Sequence, residues 1–191
     1  MIRYRPYAIF LGLVLAGLAA FFLASEGYYP VLLVGDRFVS ARRFSRGYDA
    51  ASTYYRNLVE TYDPGAPAEE KLKPEDIQLS VLEQLVENVL VAEEAERRVG
   101  NEFSALVRSK VQKFGDDPEL EKAAAVLYGL HYRDFEDFVL VPQAEREILA
   151  GRLFLEGEKL EAWLEEAKKS ARVVMFSSAF KWKEGKMEVL E

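Results

Sequence analysis

The chain has 191 residues, no cysteine and a single histidine. Without cysteine it can form no disulfide and cannot be a thiol oxidoreductase, so its stability must come from packing alone. Arg3 and Arg5 precede a long apolar segment, and beyond them 23 cations face 32 acids, a net charge of −9 that opposes a phosphate-binding surface and makes nucleic acid an unexpected partner.

Residues 7–24 form the one uncharged apolar run of the chain. About 18 such residues can just span a hydrocarbon core of about 30 Å. Because Arg3 and Arg5 precede the run, while Glu26 and Asp36 come before the next cation, the positive-inside rule predicts a cytoplasmic N-terminus.

The sequence therefore predicts a cytoplasmic tail over 1–6, a single-pass membrane anchor over 7–25 and a periplasmic or extracellular domain over 28–191. A cleaved signal peptide is the alternative, because it also begins with a basic region and an apolar core. Cleavage after Ala24 would place Phe22 at the minus-three position, which is a poor small-x-small pattern. An uncleaved signal-anchor is favoured.

After the anchor come two short β-rich runs and a long helix. Residues 30–35 are stopped by a Gly-Asp turn, and residues 37–39 can form a return strand. Ser40 is placed as the N-cap of a helix that ends near Tyr62. Apolar and aromatic residues recur along that helix at spacings of three and four, namely Phe44, Tyr48, Ala51, Tyr55, Leu58 and Tyr62.

Prolines and glycines divide the next part of the chain into helices. Residues 63–71 contain two prolines and a glycine, which predicts an exposed loop. Pro74 opens a second helix with a wide apolar stripe that ends at Gly100. Asn101 can cap a third helix, which ends near Gly115.

Three further helices are predicted. Asp117 and Pro118 open the first of them, which Gly129 ends. The next begins at about Asp134, which is placed as its N-cap, and is expected to kink at Pro142, which lacks a backbone donor. The last runs over about 156–170.

The pattern then changes to extended segments over 172–176, 179–182 and 187–189. Strand signals thus lie at both ends of the domain. The predicted fold is mostly α, with a small antiparallel β-sheet that ties the C-terminal segment to the first strand.

No motif indicates an enzyme. A Ser-His-Asp site would have to use His131, and a zinc site would have at most one imidazole. His131 lies between Gly129 and Asp134, which is typical of a helix-boundary histidine bonded to the backbone. Acidic pairs such as Glu93 and Glu94 indicate solvated faces or caps. We predict no catalytic residue, cofactor or metal.

The second helix, residues 81–95 closed by Gly100, resembles a helix of the SurA-like and PrsA-like foldases of the cell envelope. Residues 34–40 with Phe44 are similar to the opening strand, turn and helix start of that family. A third resemblance, to a later helix pair, lies in Tyr128, Gly129, Leu130, Phe135, Phe138, Pro142 and Leu149.

The resemblance implies a SurA N-terminal-like chaperone domain over 28–191 that holds unfolded or newly exported polypeptides. Full foldases of this type also carry a parvulin prolyl isomerase domain of about 90 residues, and residues 128–156 leave no room for one. Isomerase activity is therefore not implied. Val34 and Arg43 also depart from the usual residues of the family.

A chaperone needs apolar surface that tolerates many sequences. Four tyrosines of the first long helix, Tyr48, Tyr54, Tyr55 and Tyr62, are the candidate peptide-binding residues. Tyr54 is off the apolar stripe and is expected to be the most exposed of them. The alternative is that the stripe residues are core. Residues 28–29, both tyrosine, equally suit an interfacial aromatic belt.

Two functions are compatible with these observations. The first is a membrane-anchored, non-enzymatic chaperone for exported polypeptides. The second is a structural or adaptor module of the cell envelope that binds one folded partner or associates with itself. A hydrolase is disfavoured by the histidine count.

Overall fold

The computed structural model describes residues 5–62, 73–115 and 117–190, and within the first helix the side chains of residues 10–18, 21, 22 and 25. The described chain is mostly helical and carries two small antiparallel sheets. The predicted mostly α architecture is confirmed. The loop predicted over 63–71 lies outside the described residues.

The first helix, α1, covers Arg5–Ser25. Its described large apolar side chains are exposed, among them Phe10, Leu13 and Phe21. Among the described residues, no helix is both long and apolar enough to cross a membrane. The predicted helix itself forms, and its place in a membrane stays a prediction.

The first sheet joins the two ends of the domain. Strand β1 (Pro30–Val34) lies between two antiparallel neighbours, β2 (Arg37–Ser40) and β3 (Val173–Met175). Alternate side chains of a strand face opposite ways, and those of Leu32 and Val34 are fully buried. The predicted pairing of the C-terminal segment with the first strand is confirmed.

The second sheet is a hairpin of β4 (Phe180–Lys183) and β5 (Lys186–Val189). Its turn, residues 184–185, has positive φ at both positions. The hairpin is fixed to the helices because the Met187 N–H donates to Glu83 Oε1 at 2.8 Å. A single sheet was expected, but this hairpin pairs only with itself among the described strands.

The two long helices follow the signals in the sequence. Helix α2 covers Ala41–Tyr62, and the Oγ of Ser40 accepts the N–H of Arg43 at 3.3 Å, as expected for an N-cap. Helix α3 covers Pro74–Val99 and begins with proline in its first turn. It ends at Gly100, whose φ of +71° is readily adopted only by glycine.

The remaining helices are shorter, and two of the turns between them are π-helical. The helices are α4 (Phe103–Gln112), α5 (Pro118–Ala123), α6 (Tyr132–Phe135), α7 (Val141–Leu155) and α8 (Leu160–Ser170). A π-helical segment, Ala124–Tyr128, continues α5, and a second, Glu136–Leu140, joins α6 to α7.

Two predicted caps are wrong. Asn101 lies inside a 3₁₀ turn, Gly100–Glu102, and α4 begins only after that turn. Asp134 lies within α6 rather than before it, and its carboxylate forms an ion pair with Arg46 of α2. In both cases a contact or turn that the local sequence does not specify takes the place of the cap.

The helix that was expected to kink at Pro142 runs without a break over 132–155, and it changes from the π-helical segment Glu136–Leu140 to α7, which starts at Val141, beside this proline. An irregular turn next to a residue that lacks an N–H agrees with the predicted disturbance of the helix. One helix start does differ from the prediction. The last helix starts at Leu160 rather than near Glu156, because the chain turns at Gly157, where φ is +79°.

Helix α3 contributes to two separate cores. Its first half packs on the strands, and its second half packs on α4, α7 and α8. We call the first core the sheet cluster, formed by Leu32, Val34, Val39, Ile77, Val81, Leu82, Leu85, Val86 and Met187. The second is the helical cluster, formed by Val91, Ala95, Phe103, Val107, Val111, Ala144, Ile148, Leu149, Leu153, Leu160 and Leu164.

Candidate functional site: a groove between α2 and α3

A groove lies where α2, α3 and the π-helical segment Glu136–Leu140 meet. It consists of two hollows, one of about 220 Å³ with a mainly apolar lining and one of about 420 Å³ that is lined by several arginines. Asn88 and Phe138 line both hollows, so the two are adjacent parts of one groove. We call them the apolar end and the basic end.

Aromatic side chains dominate the apolar end. Tyr54 and Tyr55 of α2 line it together with Tyr128 and Phe138. The rings of Tyr54 and Tyr128 are stacked, with centroids 5.1 Å apart and planes 12° from parallel. Burial, and to a lesser extent Tyr54, raises the pKa of the Tyr128 phenol.

Small residues of α2 leave room beside these rings. Gly47 allows a close approach of the two long helices, because a Cβ there would lie 3.2 Å from Val81 Cγ1 of α3. Ala50 and Ala51 line the groove on the next turn. A larger side chain at these positions would fill the hollow or force the helices apart.

The π-helical segment Ala124–Tyr128 is held in place by α2. Asn57 Nδ2 donates to the carbonyls of Val126 at 2.7 Å and Leu127 at 3.1 Å, which are among the last carbonyls of the helix and lack partners within it. Gly129 then ends the segment with a φ of +66°. This capping places Tyr128 against the groove.

The basic end draws its cations from one short stretch of chain. Arg37, Arg42, Arg43 and Arg46 all line it. Ion pairs at 2.6 to 3.5 Å join Arg37 to Glu93 and Glu96 and Arg42 to Glu26, and Arg46 is paired with Asp134.

Arg43 differs from the other three arginines of the basic end. It has no carboxylate within ion-pair distance among the described residues, and its guanidinium lies 6.0 Å from the centroid of the Phe138 ring. Phe138 lines both hollows, so Arg43 stands at the junction of the two ends.

Two carboxylates complete the basic end, Asp137 and Glu145. Burial raises the pKa of the half-buried Glu145, and the charges of Arg43 and Arg37 offset only part of this effect. Val141 and Glu145 also line a third hollow of about 460 Å³ between α4 and α7. This third hollow therefore borders the basic end.

The structure places only half of the predicted tyrosines in the groove. Tyr54 and Tyr55 line the apolar end. Tyr48 is half-buried against the sheet cluster, with its ring 6.4 Å from that of Phe44. Tyr62 is 81% exposed at the end of α2 and lies outside the groove. The expectation that Tyr54 is the most exposed of the four is wrong, because Tyr128 covers it.

Sequence reasoning missed several groove residues. Tyr128 and Phe138 belong to π-helical segments, which carry no clear periodic signal. The arginines had a signal that was not used: four of them occur between positions 37 and 46, with no acid among them, in an otherwise acidic chain. Such a local excess of one sign indicates a surface that attracts the opposite charge.

The single histidine does not line either end of this groove. His131 is exposed at the start of α6, where its carbonyl accepts the N–H of Phe135 at 2.9 Å. The predicted helix boundary is confirmed, but its side chain forms no capping bond. Over the described ranges, no group of three or more acids or histidines could hold a metal ion.

Comparison of the chain with protein-family models, curated proteins and solved structures finds no match. The resemblance to the SurA-like and PrsA-like foldases therefore stays a prediction. What the geometry offers is a groove with a stacked aromatic wall, an exposed arginine beside Phe138 where its two ends meet, and a third hollow next to the basic end. Such a lining suits non-covalent binding of a chain with apolar and polar groups.

Proposed function

We propose that the protein is a chaperone-like polypeptide-binding module, and that unfolded or newly exported chains bind in the groove between α2 and α3. The observation that carries this proposal is the series of three linked hollows, which begins with Tyr54, Tyr55 and Tyr128. Aromatic rings give large, sequence-tolerant contact area, and a chain of hollows matches an extended segment better than a single small ligand.

The resemblance to the SurA-like and PrsA-like foldases agrees with this function. It concerns packing residues of α3 and of the first strands and implies the chaperone part of such proteins alone. The groove lies beside those same elements. The proposal includes no bond-making or bond-breaking step.

Suppression of aggregation tests the proposal directly. The full chain should protect several unrelated denatured proteins at similar molar ratios. Ser80, which is exposed at the rim of the apolar end, provides a variant, Ser80→Trp, that fills the groove without touching a core. This variant should lose protection, whereas Phe154→Ala, which removes a 79% exposed ring far along α7, should not. Equal protection by both variants would contradict the groove as the binding site.

The proposal also includes a location. We infer that residues 7–25 anchor the protein in the cell membrane with 1–6 in the cytoplasm and 28–191 outside it. The uncharged run in the sequence and the flanking arginines support this part of the proposal.

The absence of cysteine allows a clean test of that location. A single cysteine at the exposed Ser178, Ser178→Cys, should react with a membrane-impermeant maleimide on intact cells or spheroplasts. Labelling only after lysis would exclude an outward-facing domain, and release of the protein by carbonate would exclude the anchor.

One observation favours the adaptor function instead. The outer face of the first sheet is apolar and exposed, with Phe38 at 67% and Phe176 at 54% and their rings 6.3 Å apart. Leu33 lies opposite Phe38 on β2 and Val174 on β3, so the face extends across all three strands. Protection of no client, together with self-association lost in Phe38→Ser, would support the adaptor.

A further inference from the structure

Strand β2 has an open edge beside the groove. It pairs with β1 on one side, and none of the described strands pairs with its other side. All four of its residues, Arg37–Ser40, line the basic end of the groove. The hollow of about 420 Å³ therefore borders a strand that still has backbone groups to offer.

The register of the sheet shows which backbone groups face this open edge. Val34 and Arg37 lie opposite each other across the two-residue turn between β1 and β2, so they exchange backbone hydrogen bonds. The next opposed pair, Leu33 and Phe38, is of the other kind, in which the backbone groups of each residue point away from the partner. The N–H and C=O of Phe38 therefore face the open edge, and neither has a hydrogen-bond partner among the described residues.

The hydrogen bonds on the far side of β1 agree with this assignment. The Gly35 N–H donates to the Arg172 carbonyl at 3.0 Å, and the Phe176 N–H donates to the Val31 carbonyl at 2.9 Å. Residues 31 and 35 thus turn their backbone groups away from β2. Because the direction alternates along a strand, Leu33 between them does the same and leaves the groups of Phe38 free.

Contacts with the rest of the domain hold this edge in position. Arg37 forms ion pairs with Glu93 at 3.1 Å and with Glu96 at 2.6 Å, both on α3. Val39 is 3% exposed and belongs to the sheet cluster. An edge that is already ordered loses little conformational entropy when another chain pairs with it.

Side chains from three other elements also line the basic end, among them Val89 of α3, Phe138 of the second π-helical segment and Val141 of α7. The edge of β2 thus borders a walled hollow and not an open surface. A single extended chain needs a spacing of only about 4.8 Å from its neighbour. A second folded copy would bring its own helices into the same space, so the hollow favours one extended segment as the occupant.

Resting on the polypeptide binding proposed above, we infer that an extended segment of a non-native polypeptide joins the first sheet as a fourth strand beside β2. The Phe38 N–H donates to a backbone carbonyl of the segment, and the Phe38 carbonyl accepts a backbone N–H from it. Every second side chain of the segment then faces the side on which α3 packs, where Val89, Phe138 and Val141 offer apolar contact. Main-chain bonds of this kind do not depend on the sequence of the segment, which suits many clients.

Two variants of one residue test this inference by fluorescence anisotropy with the full chain. The probe is a labelled seven-residue peptide of alternating threonine and valine, which carries no charged side chain. Phe38→Pro removes the outward N–H and leaves the pairing with β1 intact, because proline is tolerated on an edge strand where its N–H would face away from the sheet. Phe38→Thr is the matched control, since it removes the same ring but keeps the N–H. The proline variant should bind the peptide at least tenfold more weakly than the threonine variant.

Hydrogen exchange measured by NMR on the unaltered chain tests the same pairing without a substitution. The Phe38 amide should exchange rapidly in the free protein and at least tenfold more slowly when the peptide is saturating. The Arg37 amide, which bonds to β1, should be protected in both states.

The outcomes separate this inference from the proposed function. Equal peptide binding by the two variants, or exchange at Phe38 that saturating peptide leaves unchanged, would exclude pairing at this edge. Self-association that is lost in Phe38→Pro, kept in Phe38→Thr and not displaced by the peptide would assign the edge to a second copy and also overturn the inference. If the unaltered chain does not bind the peptide, edge pairing is wrong. In each case suppression of aggregation still decides by itself whether the protein binds non-native polypeptides.

Discussion

The helical cluster and the groove use apolar side chains in two different ways. In the helical cluster Leu149 and Leu153 have no exposed surface, because the chain itself supplies all their neighbours. In the groove Tyr54 and Tyr128 are half-buried, with one face packed and the other open to the hollow. Burial in the helical cluster stabilises the fold. In the groove, part of the apolar ring surface stays exposed, and a ligand can bury it.

The largest expected effect lies in the helical cluster. Leu149→Ala leaves a cavity in a fully packed site and should lower the free energy of unfolding by about 2–5 kcal/mol. Leu155→Ala, on the same helix but 77% exposed, should change it by no more than about 0.5 kcal/mol. Urea unfolding followed by circular dichroism measures both, and similar losses would remove the distinction between packed and open sites.

A smaller effect on stability is expected in the groove wall. Tyr54→Ala removes the stack on Tyr128 and part of the burial of a half-exposed ring, a loss of about 1–2 kcal/mol. Tyr54→Phe keeps the ring and should stay near the unaltered value. The same denaturation experiment measures the free energy of unfolding of both variants. In Tyr54→Ala, the free energy of peptide binding should fall by more than the free energy of unfolding does. A loss as large as that of Leu149→Ala would mean that Tyr54 is core and not groove wall.

The capping of the π-helical segment sharpens the comparison further. Asn57→Ala leaves the carbonyls of Val126 and Leu127 to water and should cost about 0.5–1.5 kcal/mol. The neighbouring exposed Arg56→Ala is the control and should be neutral. Hydrogen exchange should show faster opening at 124–130 in Asn57→Ala alone, and unchanged exchange there would show that α2 does not hold the segment.

The smallest expected effect concerns pH. Burial raises the pKa of Glu145 in the folded protein above its ordinary value of 4.5. The folded state then holds the Glu145 proton to higher pH than the unfolded state does. The stability that this proton contributes is complete below the unfolded pKa and is lost as pH rises through the folded pKa. Glu145→Gln should therefore be slightly more stable than the unaltered protein at neutral pH and equal to it in acid. Equal stability at both would show that Glu145 is effectively solvated.

Most of the fold could be predicted because its signals are local. The Ser40 cap, the stripe of α3 that starts at Pro74 and the extended C-terminal runs each identify an element within a few residues. Strand signals at both ends then leave few ways to pair, and β3 does join β1. The failed caps, Asn101 and Asp134, occur where a 3₁₀ turn or a distant arginine replaces the local choice.

Much less of the groove could be predicted, because it depends on contacts between remote parts of the chain. Helical periodicity placed Tyr54 off the stripe, but Tyr128, which covers it, is 74 positions away and belongs to a π-helical turn. A π-helical turn changes the direction in which the side chains of the following helix point, so the apolar pattern no longer indicates which side of that helix is buried.

The central strand of the first sheet sets the order in which the molecule can be completed. Strand β1 emerges among the first residues of the domain, yet one of its edges pairs, within the described part of the chain, with Val173–Met175. A nascent chain interrupted before that point would display an unpaired edge and leave Leu32 and Val34 short of neighbours. Synthesis through residue 175 is thus a condition for completing this sheet, and products that stop before it should be recognised readily by proteases.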